Sequence, residues 1–123
     1  MRPHCTTTRC FLLCLLIAMA TLSGCAPSVT GDQARQLIAV RDALLEHPEG
    51  DIPAQRWPEA VARLQPERVY RSHNGIYIYT YEFFVEQRGV FLLDPASTFV
   101  PDAQGDPSYE VVITDVYLYR SAG

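Results

Sequence analysis

The side chain best suited to covalent chemistry is the thiol of Cys25, which follows Leu22, Ser23 and Gly24. A thiol becomes a good nucleophile once ionised, and small neighbours let an enzyme approach the backbone beside it. The preceding residues have an arginine-bearing start, an apolar run over residues 10–22 and a small-residue exit, as export signals do. That run is too short for a membrane-spanning helix, which needs about 20 apolar residues. The segment therefore predicts an export signal rather than a permanent membrane-spanning helix.

Leu22, Ser23, Gly24 and Cys25 together resemble the lipobox of bacterial lipoproteins at all four positions. The resemblance implies that Cys25 is alkylated with diacylglycerol, that residues 1–24 are removed, and that the freed amine is acylated. The implied partner is a lipid bilayer of the cell envelope. Ala26, a second mature residue other than aspartate, resembles that of proteins sent to the outer membrane. The expected location is therefore the periplasmic leaflet of the outer membrane rather than the inner membrane.

The histidines and the loop aspartates have local explanations. His47 lies at the predicted end of a helix and His73 directly before a predicted turn, where histidines are commonly solvated. Asp94, Asp102 and Asp106 occur in a Pro- and Gly-rich stretch, and since their spacing does not fit an EF-hand we interpret them as turn residues. The sequence predicts no catalytic residue, no metal site and no cofactor, and hence a protein that is not an enzyme.

The density of aromatic residues is the most unusual feature of the later sequence. Tyr77, Tyr79, Tyr81 and Phe83 alternate along a predicted strand, which would place them on one face of a sheet. Tyrosine offers a large contact area with few rotors, which suits a protein, peptide or glycan partner. Alternatively, cross-strand aromatic pairs only stabilise the sheet. The predicted partner-binding face consists of Tyr70, Tyr77, Tyr79, Tyr81, Tyr117 and Tyr119.

Composition limits what the mature chain can be. The 99 residues from Cys25 to Gly123 are enough for one small domain with a single core. No cysteine follows Cys25, so the mature chain can form neither an internal disulfide nor a cysteine-ligated zinc site. It contains eight arginines, no lysine and fourteen acidic residues, and this net charge of −6 disfavours a nucleic-acid partner.

Two helices are predicted near the start of this domain. The first spans Asp32–His47, with an apolar stripe interrupted by Arg41 and a capping box between Thr30 and Gln33. The second spans Pro58–Leu64, where a proline favours the first turn and a later proline closes the helix.

The pattern then changes to that of strands. Asn74 and Gly75 predict a type I′ turn that joins the strands Arg68–His73 and Ile76–Val85. The remaining predicted elements are a turn at residues 86–89, a strand over Val90–Leu93, a loop over Asp94–Ser108 and a last strand over Tyr109–Arg120 with a bulge near Thr114 and Asp115.

These elements predict an α+β fold with two N-terminal helices packed on one face of a four-stranded antiparallel meander sheet. The predicted organisation is a cleaved signal peptide over residues 1–24, a lipidated N-terminus and short tether over residues 25–31, and a single α+β domain over residues 32–123. The six residues after Cys25 reach roughly 20 Å when extended, so the domain is expected to lie close to the bilayer.

Several short runs in the mature part resemble a group of short uncharacterised proteobacterial lipoproteins, which implies no activity. They are Trp57-Pro58-Glu59-Ala60-Val61, then Leu64, Pro66 and Val69, then Gly75-Ile76-Tyr77-Ile78, then Gly89-Val90-Phe91. The sequence leaves three hypotheses open: a membrane-anchored, non-catalytic protein-binding module such as an immunity or inhibitor protein, a structural accessory of a cell-envelope complex, or a small hydrolase.

Overall fold

The structure, a computed structural model, describes residues 28–123. The expected signal peptide, its cleavage motif at Leu22, Ser23 and Gly24, and Cys25 lie outside the described residues. Six strands form one antiparallel sheet in the order β1-β2-β3-β4-β6-β5. The elements are α1 (Gly31–Leu45), β1 (Gly50–Asp51), a 3-10 turn (Ala54–Arg56), α2 (Glu59–Ala62), β2 (Arg68–Ser72), β3 (Gly75–Phe83), β4 (Glu86–Leu93), β5 (Ser108–Ile113) and β6 (Val116–Ser121).

The predicted fold of two helices on a four-stranded meander is wrong, because the described chain has one long helix and six strands. α1 has fifteen residues and begins at the predicted capping box, in which Thr30 and Gln33 cap one another. α2 is a single turn of four residues, shorter than the predicted Pro58–Leu64 helix. A residue before proline is disfavoured in the α-helical conformation, and Gln65, which precedes Pro66, takes a positive φ of 50°. The helix therefore ends early.

The two additional strands come from segments whose patterns are weak. The predicted strand Tyr109–Arg120 is divided into β5 and β6 by a turn at Thr114 and Asp115, where Asp115 has a φ of 66° that aspartate tolerates. The predicted bulge at this place is therefore a chain reversal. At the opposite edge, the two residues of β1 pair with Arg71 and Tyr70 of β2. Two residues are too few to show an alternating pattern.

The hairpin of β2 and β3 is confirmed, but its turn is one residue earlier than predicted. The two central residues are His73 and Asn74, and Gly75 is the first residue of β3. Gly75 has a φ of 151°, and a side chain there would collide with the backbone of β4 at Leu92. The glycine is thus required by a neighbouring strand as well as by the turn.

The hairpin of β3 and β4 also differs from prediction. Its turn is formed by Phe84 and Val85, whereas residues 86–89, predicted as a turn, belong to β4. Tyr79 pairs with Gly89 but Tyr81 pairs with Arg88, so Thr80 is an extra residue in β3. This is a β-bulge, and the residues that follow it point to the face opposite the one predicted by simple alternation.

One face of the sheet packs against α1 and α2 through aliphatic side chains. α1 contributes Ala34, Leu37 and Leu44, and α2 contributes Val61. The facing strand residues, all buried, are Val69, Ile76, Ile78, Val90, Leu92 and Val116.

Two arginines fasten the C-terminal half of α1 to the sheet. The Nε atom of Arg71 on β2 donates to the Leu45 carbonyl at 3.3 Å, where a cation is favoured at the end of a helix. Arg41 of α1 donates through Nη1 to the Leu93 carbonyl at 3.1 Å and to Asp115 Oδ2 at 3.2 Å. Arg41, which interrupts the apolar stripe of α1, therefore binds the end of β4 and the turn between β5 and β6.

Replacing Gly89 by alanine tests how closely β3 and β4 approach. A Cβ atom at this position would collide with the carbonyl oxygen of Ile78. Overpacking of this kind typically destabilises a protein, so we expect Gly89→Ala to lower the free energy of unfolding by roughly 2 kcal/mol or more in urea denaturation. The matched control is Gly31→Ala, whose Cβ would lie 3.7 Å from its nearest neighbour, Arg35 Nη1. Equal stability of the two variants would contradict the close approach.

Candidate functional site

The face of the sheet opposite the helices carries a second core made of aromatic rings. We call Tyr77, Tyr79, Phe91, Tyr109 and Tyr119 the aromatic cluster. Phe91, Tyr79, Tyr109 and Tyr119 are buried, and Phe99 from the loop between β4 and β5 packs against them. The predicted loop is confirmed over residues 94–107, and it covers part of the face that was predicted to be open.

The rings of the aromatic cluster contact one another in stacked and edge-on arrangements. The Tyr77 ring lies 4.6 Å from Phe91, 5.1 Å from Tyr119 and 5.7 Å from Tyr79, as measured between centroids. The Tyr109 ring meets Phe91 edge-on at 5.3 Å. Such pairs contribute about 0.5–1.5 kcal/mol each beyond the area they bury. The interpretation that cross-strand aromatic pairs stabilise the sheet therefore describes this part of the face.

Gly89 lies at the centre of the cluster and makes room for two of the rings. It pairs with Tyr79 on one side and with Tyr119 on the other. Strands two apart in a sheet are about 9–10 Å apart, yet the Tyr79 and Tyr119 ring centroids are 5.9 Å apart. The two rings lean towards each other over the glycine.

Three of the four tyrosine hydroxyl groups in the cluster form hydrogen bonds. The Tyr77 and Tyr109 hydroxyl oxygens are 2.8 Å apart, and the Tyr119 hydroxyl donates to Gln87 Oε1 at 3.3 Å. Burial raises the pKa of Tyr77 and Tyr79 well above the usual tyrosine value of about 10, and it raises those of Tyr109 and Tyr119 as well. The cluster thus favours neutral, hydrogen-bonded phenols.

The structure separates the six tyrosines predicted to form one binding face. Tyr79 and Tyr119 are buried in the aromatic cluster. Tyr81 lies beyond the bulge on the opposite face, where its ring contacts Arg88 at 5.4 Å. The prediction that Tyr81 shares a face with Tyr77 and Tyr79 is therefore wrong. The tyrosines that remain partly exposed on the aromatic face are Tyr70, Tyr77 and Tyr117, which we call the tyrosine row.

The tyrosine row follows the hydrogen-bonding direction across the sheet. Tyr70 pairs with Tyr77, Tyr77 with Phe91, and Phe91 with Tyr117. The row continues to Val111 on the edge strand β5, which is 64 % exposed. The row is a strip of half-buried rings that ends in an exposed aliphatic side chain. The buried rings of the aromatic cluster lie next to it on the same face of the sheet.

An ion pair closes the cluster at the end of the sheet that contains the bulge. The guanidinium of Arg68 lies over the Tyr79 ring at 4.7 Å and over the Tyr70 ring at 5.6 Å, and its Nη2 donates to Glu82 Oε1 at 2.9 Å. Because Glu82 follows the bulge, it takes the place on this face that alternation would give to an aromatic ring. The guanidinium of Arg68 thus contacts both Tyr70 and the cluster, and its charge is paired with that of Glu82.

Three members of this aromatic surface were not predicted from the sequence: Phe91, Phe99 and Tyr109. Tyr109 and Val111 alternate at the start of β5, which would have indicated a shared face. Phe91 lies opposite Tyr77 only because of the bulge, since a turn at Phe84 and Val85 without an extra residue would place Leu92 opposite Tyr77. Phe99 lies in an irregular loop, where no periodic signal exists.

The other reactive side chains have structural roles. Asp94 and Asp102 accept hydrogen bonds from backbone N–H groups two residues later, which confirms them as turn residues, and Asp106 accepts from the Ala122 N–H. His73 is an exposed turn residue and His47 follows the end of α1. Among residues 28–123, no three His, Cys, Asp or Glu side chains are grouped closely enough to hold a metal ion.

A groove of about 810 Å³ lies on the helix side of the sheet, beyond the start of α1. Its lining includes Ser28, Val29, Leu64, Arg88 and Arg120. The groove therefore places the first described residue at the same end of the sheet as the turn between β3 and β4. None of the helices within residues 28–123 has the length and hydropathy needed to cross a bilayer.

Comparison of the chain with known protein families, with curated proteins and with solved structures finds no match.

The buried phenols predict a loss of stability at alkaline pH. Tyrosines in the unfolded chain ionise near pH 10, whereas Tyr77 and Tyr79 in the folded protein ionise only at higher pH. The unfolded state therefore loses protons first, so the stability is complete below about pH 10 and falls as the pH rises towards the folded values. We expect urea denaturation to show a fall of at most about 1.4 kcal/mol per pH unit for each such tyrosine.

The double variant Tyr77→Phe/Tyr109→Phe is the matched comparison. It removes both partners of one hydrogen bond, so neither hydroxyl is left buried and unpaired. We expect it to lose less stability than the unchanged protein between about pH 9 and about pH 11. An equal loss in the two proteins would show that these phenols are not responsible.

Proposed function

We propose that this protein is a lipid-anchored, non-catalytic binding module of the cell envelope that recognises a protein partner, in the manner of an immunity or inhibitor protein. The observation that carries the proposal is the tyrosine row, Tyr70, Tyr77 and Tyr117, which presents half-buried phenol rings on a packed aromatic floor. Such rings supply an apolar surface and a hydrogen-bonding tip at one place.

Rigid support makes the tyrosine row suitable for binding. A flexible side chain loses about 0.5–1.5 kcal/mol of conformational freedom when a partner immobilises it. The Tyr77 ring is already held by Phe91, Tyr79 and Tyr119, and its hydroxyl is paired with that of Tyr109. A partner would therefore find this ring already ordered. The complementary surface would combine apolar groups with hydrogen-bond acceptors for the phenols of Tyr70 and Tyr117.

The fold supports attachment close to the membrane if Cys25 is acylated as we propose. Val29 packs against the helix-side core, so the chain is fixed to the domain at that residue. Three residues separate Cys25 from Val29, and the four residue steps between them span at most roughly 13 Å. The tether from Cys25 to Val29 is shorter than the predicted tether over residues 25–31, so the domain would be held closer to the bilayer. Two or more acyl chains would make this attachment stable, whereas one chain gives only marginal binding.

Acylation of Cys25 can be tested in bacteria that express the full chain. Metabolic labelling with an alkyne-bearing fatty acid should label the protein, and Cys25→Ser should remove the label, because the thiol is the proposed attachment atom. The matched control is Cys14→Ser, which should keep the label because Phe11, Leu12 and Leu13 before it do not resemble a lipobox. Labelling that survives Cys25→Ser would refute the proposed anchor.

Partner recognition can be tested by placing a photo-crosslinking phenylalanine at Tyr117. This position belongs to the tyrosine row, and the probe resembles the ring that it replaces. We expect one discrete crosslinked protein in intact cells, and we expect Tyr70→Ala in the same chain to reduce its yield severalfold. The matched control is the same probe at Tyr81, an exposed tyrosine on the opposite face. The same crosslinked protein at both positions, or none at Tyr117, would exclude the tyrosine row as the binding surface.

A further inference from the structure

We propose that the turn between β3 and β4 inserts into the lipid bilayer beside the anchor. We call Phe83, Phe84 and Val85 the hairpin tip. The inference rests on the proposed acylation of Cys25 and adds a second contact between the protein and the membrane. The hairpin tip would insert into the apolar boundary region of a phospholipid bilayer.

The hairpin tip is the most exposed run of apolar side chains in the described chain. Phe84 is 90 % exposed, Val85 67 % and Phe83 58 %. The Phe83 and Phe84 rings meet edge-on with centroids 4.6 Å apart, so they form one continuous apolar knob. Scattered exposed hydrophobic residues are ordinary, whereas three consecutive ones at the end of a hairpin indicate a surface that is covered in use.

The backbone at Phe84 supports the same conclusion. Its φ is 53°, in the left-handed region that glycine or asparagine occupies in most tight turns and that a bulky residue rarely adopts. Packing inside the fold does not stabilise this conformation, because the Phe84 side chain is 90 % exposed and its ring meets the neighbouring Phe83 ring. A strained position that holds an exposed aromatic ring is typical of a functional contact.

The hairpin tip lies at the end of the sheet where the chain would leave the anchor. Ser28 and Arg88 line the same groove, and Arg88 is three residues after Val85 in β4. The opposite end of the sheet carries His73, Asn74 and Asp115 in its turns. A tether from Cys25 to Val29 would therefore hold the hairpin tip, and not these polar turns, towards the bilayer.

The two charged residues that follow the hairpin tip in β4 neutralise each other. Glu86, which begins β4, forms an ion pair with Arg88, so the two residues contribute no net charge. We therefore expect insertion into membranes of zwitterionic lipid and little dependence on salt. Attraction by an arginine surface would instead weaken as salt increased.

The test uses the full chain carrying Phe84→Cys, produced in bacteria and reconstituted into phosphatidylcholine vesicles. Cleavage of residues 1–24 and acylation of Cys25 leave the new cysteine as the single free thiol for an environment-sensitive fluorophore. We expect nitroxide-bearing lipids to quench this label severalfold more than the same label on His73→Cys, the matched control at the opposite end of the sheet. Aqueous iodide should show the reverse order.

A second variant tests the rings themselves. Phe84→Gly keeps the fold, because glycine adopts the φ of this position without strain. With the label moved to Val85→Cys, we expect Phe84→Gly to raise quenching by iodide severalfold. An unchanged value would overturn the role of the Phe84 ring.

The outcomes distinguish this inference from the proposed anchor. Mass spectrometry of the N-terminal peptide first shows whether Cys25 carries diacylglycerol, and its absence would overturn the anchor and the inference together. An anchored protein whose label at position 84 is quenched by iodide as strongly as the label at position 73 would overturn the inference alone. The hairpin tip would then be assigned to a protein partner.

Discussion

The pairing of β3 with β4 around one extra residue is the constraint on which the rest of the structure depends. Before Thr80, the strand sends Tyr77 and Tyr79 into the aromatic cluster. After Thr80 the alternation is reversed, so that Glu82 occupies the aromatic face and Tyr81 the helix side. Without the bulge, the Glu82 carboxylate would lie on the helix side, away from Arg68. One inserted residue thus decides both where the aromatic core ends and which rings remain outside it.

The sheet has a different chemistry at each of its surfaces. One face is aliphatic and covered by α1, and the other is aromatic and covered in part by the loop that contains Phe99. At one end the turns are polar, and at the other the first described residue, Ser28, lies on the same side as an apolar hairpin turn. The domain can therefore expose the tyrosine row on one face of the sheet while the end with the apolar hairpin turn contacts a different surface. This arrangement suits a protein that is held at a membrane and meets its partner in the space beside it.

The sequence predicts best those features that depend on local chemistry. The capping box of Thr30 and Gln33, the hairpin near Asn74 and the irregular segment of residues 94–107 all follow from residue types at short spacing. The bulge could not be predicted, because Tyr79, Thr80 and Tyr81 continue an unbroken alternation of apolar and polar residues without a glycine or proline.

Burial was the other feature that local pattern could not supply. Tyr79 and Tyr119 are far apart in sequence, and they come together because both pair with Gly89, over which their ring centroids are 5.9 Å apart. The glycine resembled a turn residue for the same reason that it suits a close approach. The sequence therefore predicted that tyrosines form an exposed row, but it did not predict which tyrosines belong to it. Their neighbours depend on the strand order across β4 and β6.

The division of side chains between the two faces also gives each face its own chromophore. Trp57, the single tryptophan, packs on the helix side and donates from Nε1 to the Ile52 carbonyl at 2.8 Å. The clustered tyrosines lie on the other side of the same backbone layer. Tryptophan fluorescence and the near-ultraviolet circular dichroism of tyrosine thus report on opposite faces without any added label. Their transitions would coincide if the sheet couples its two faces into one cooperative unit, and they would separate if the helix could detach first.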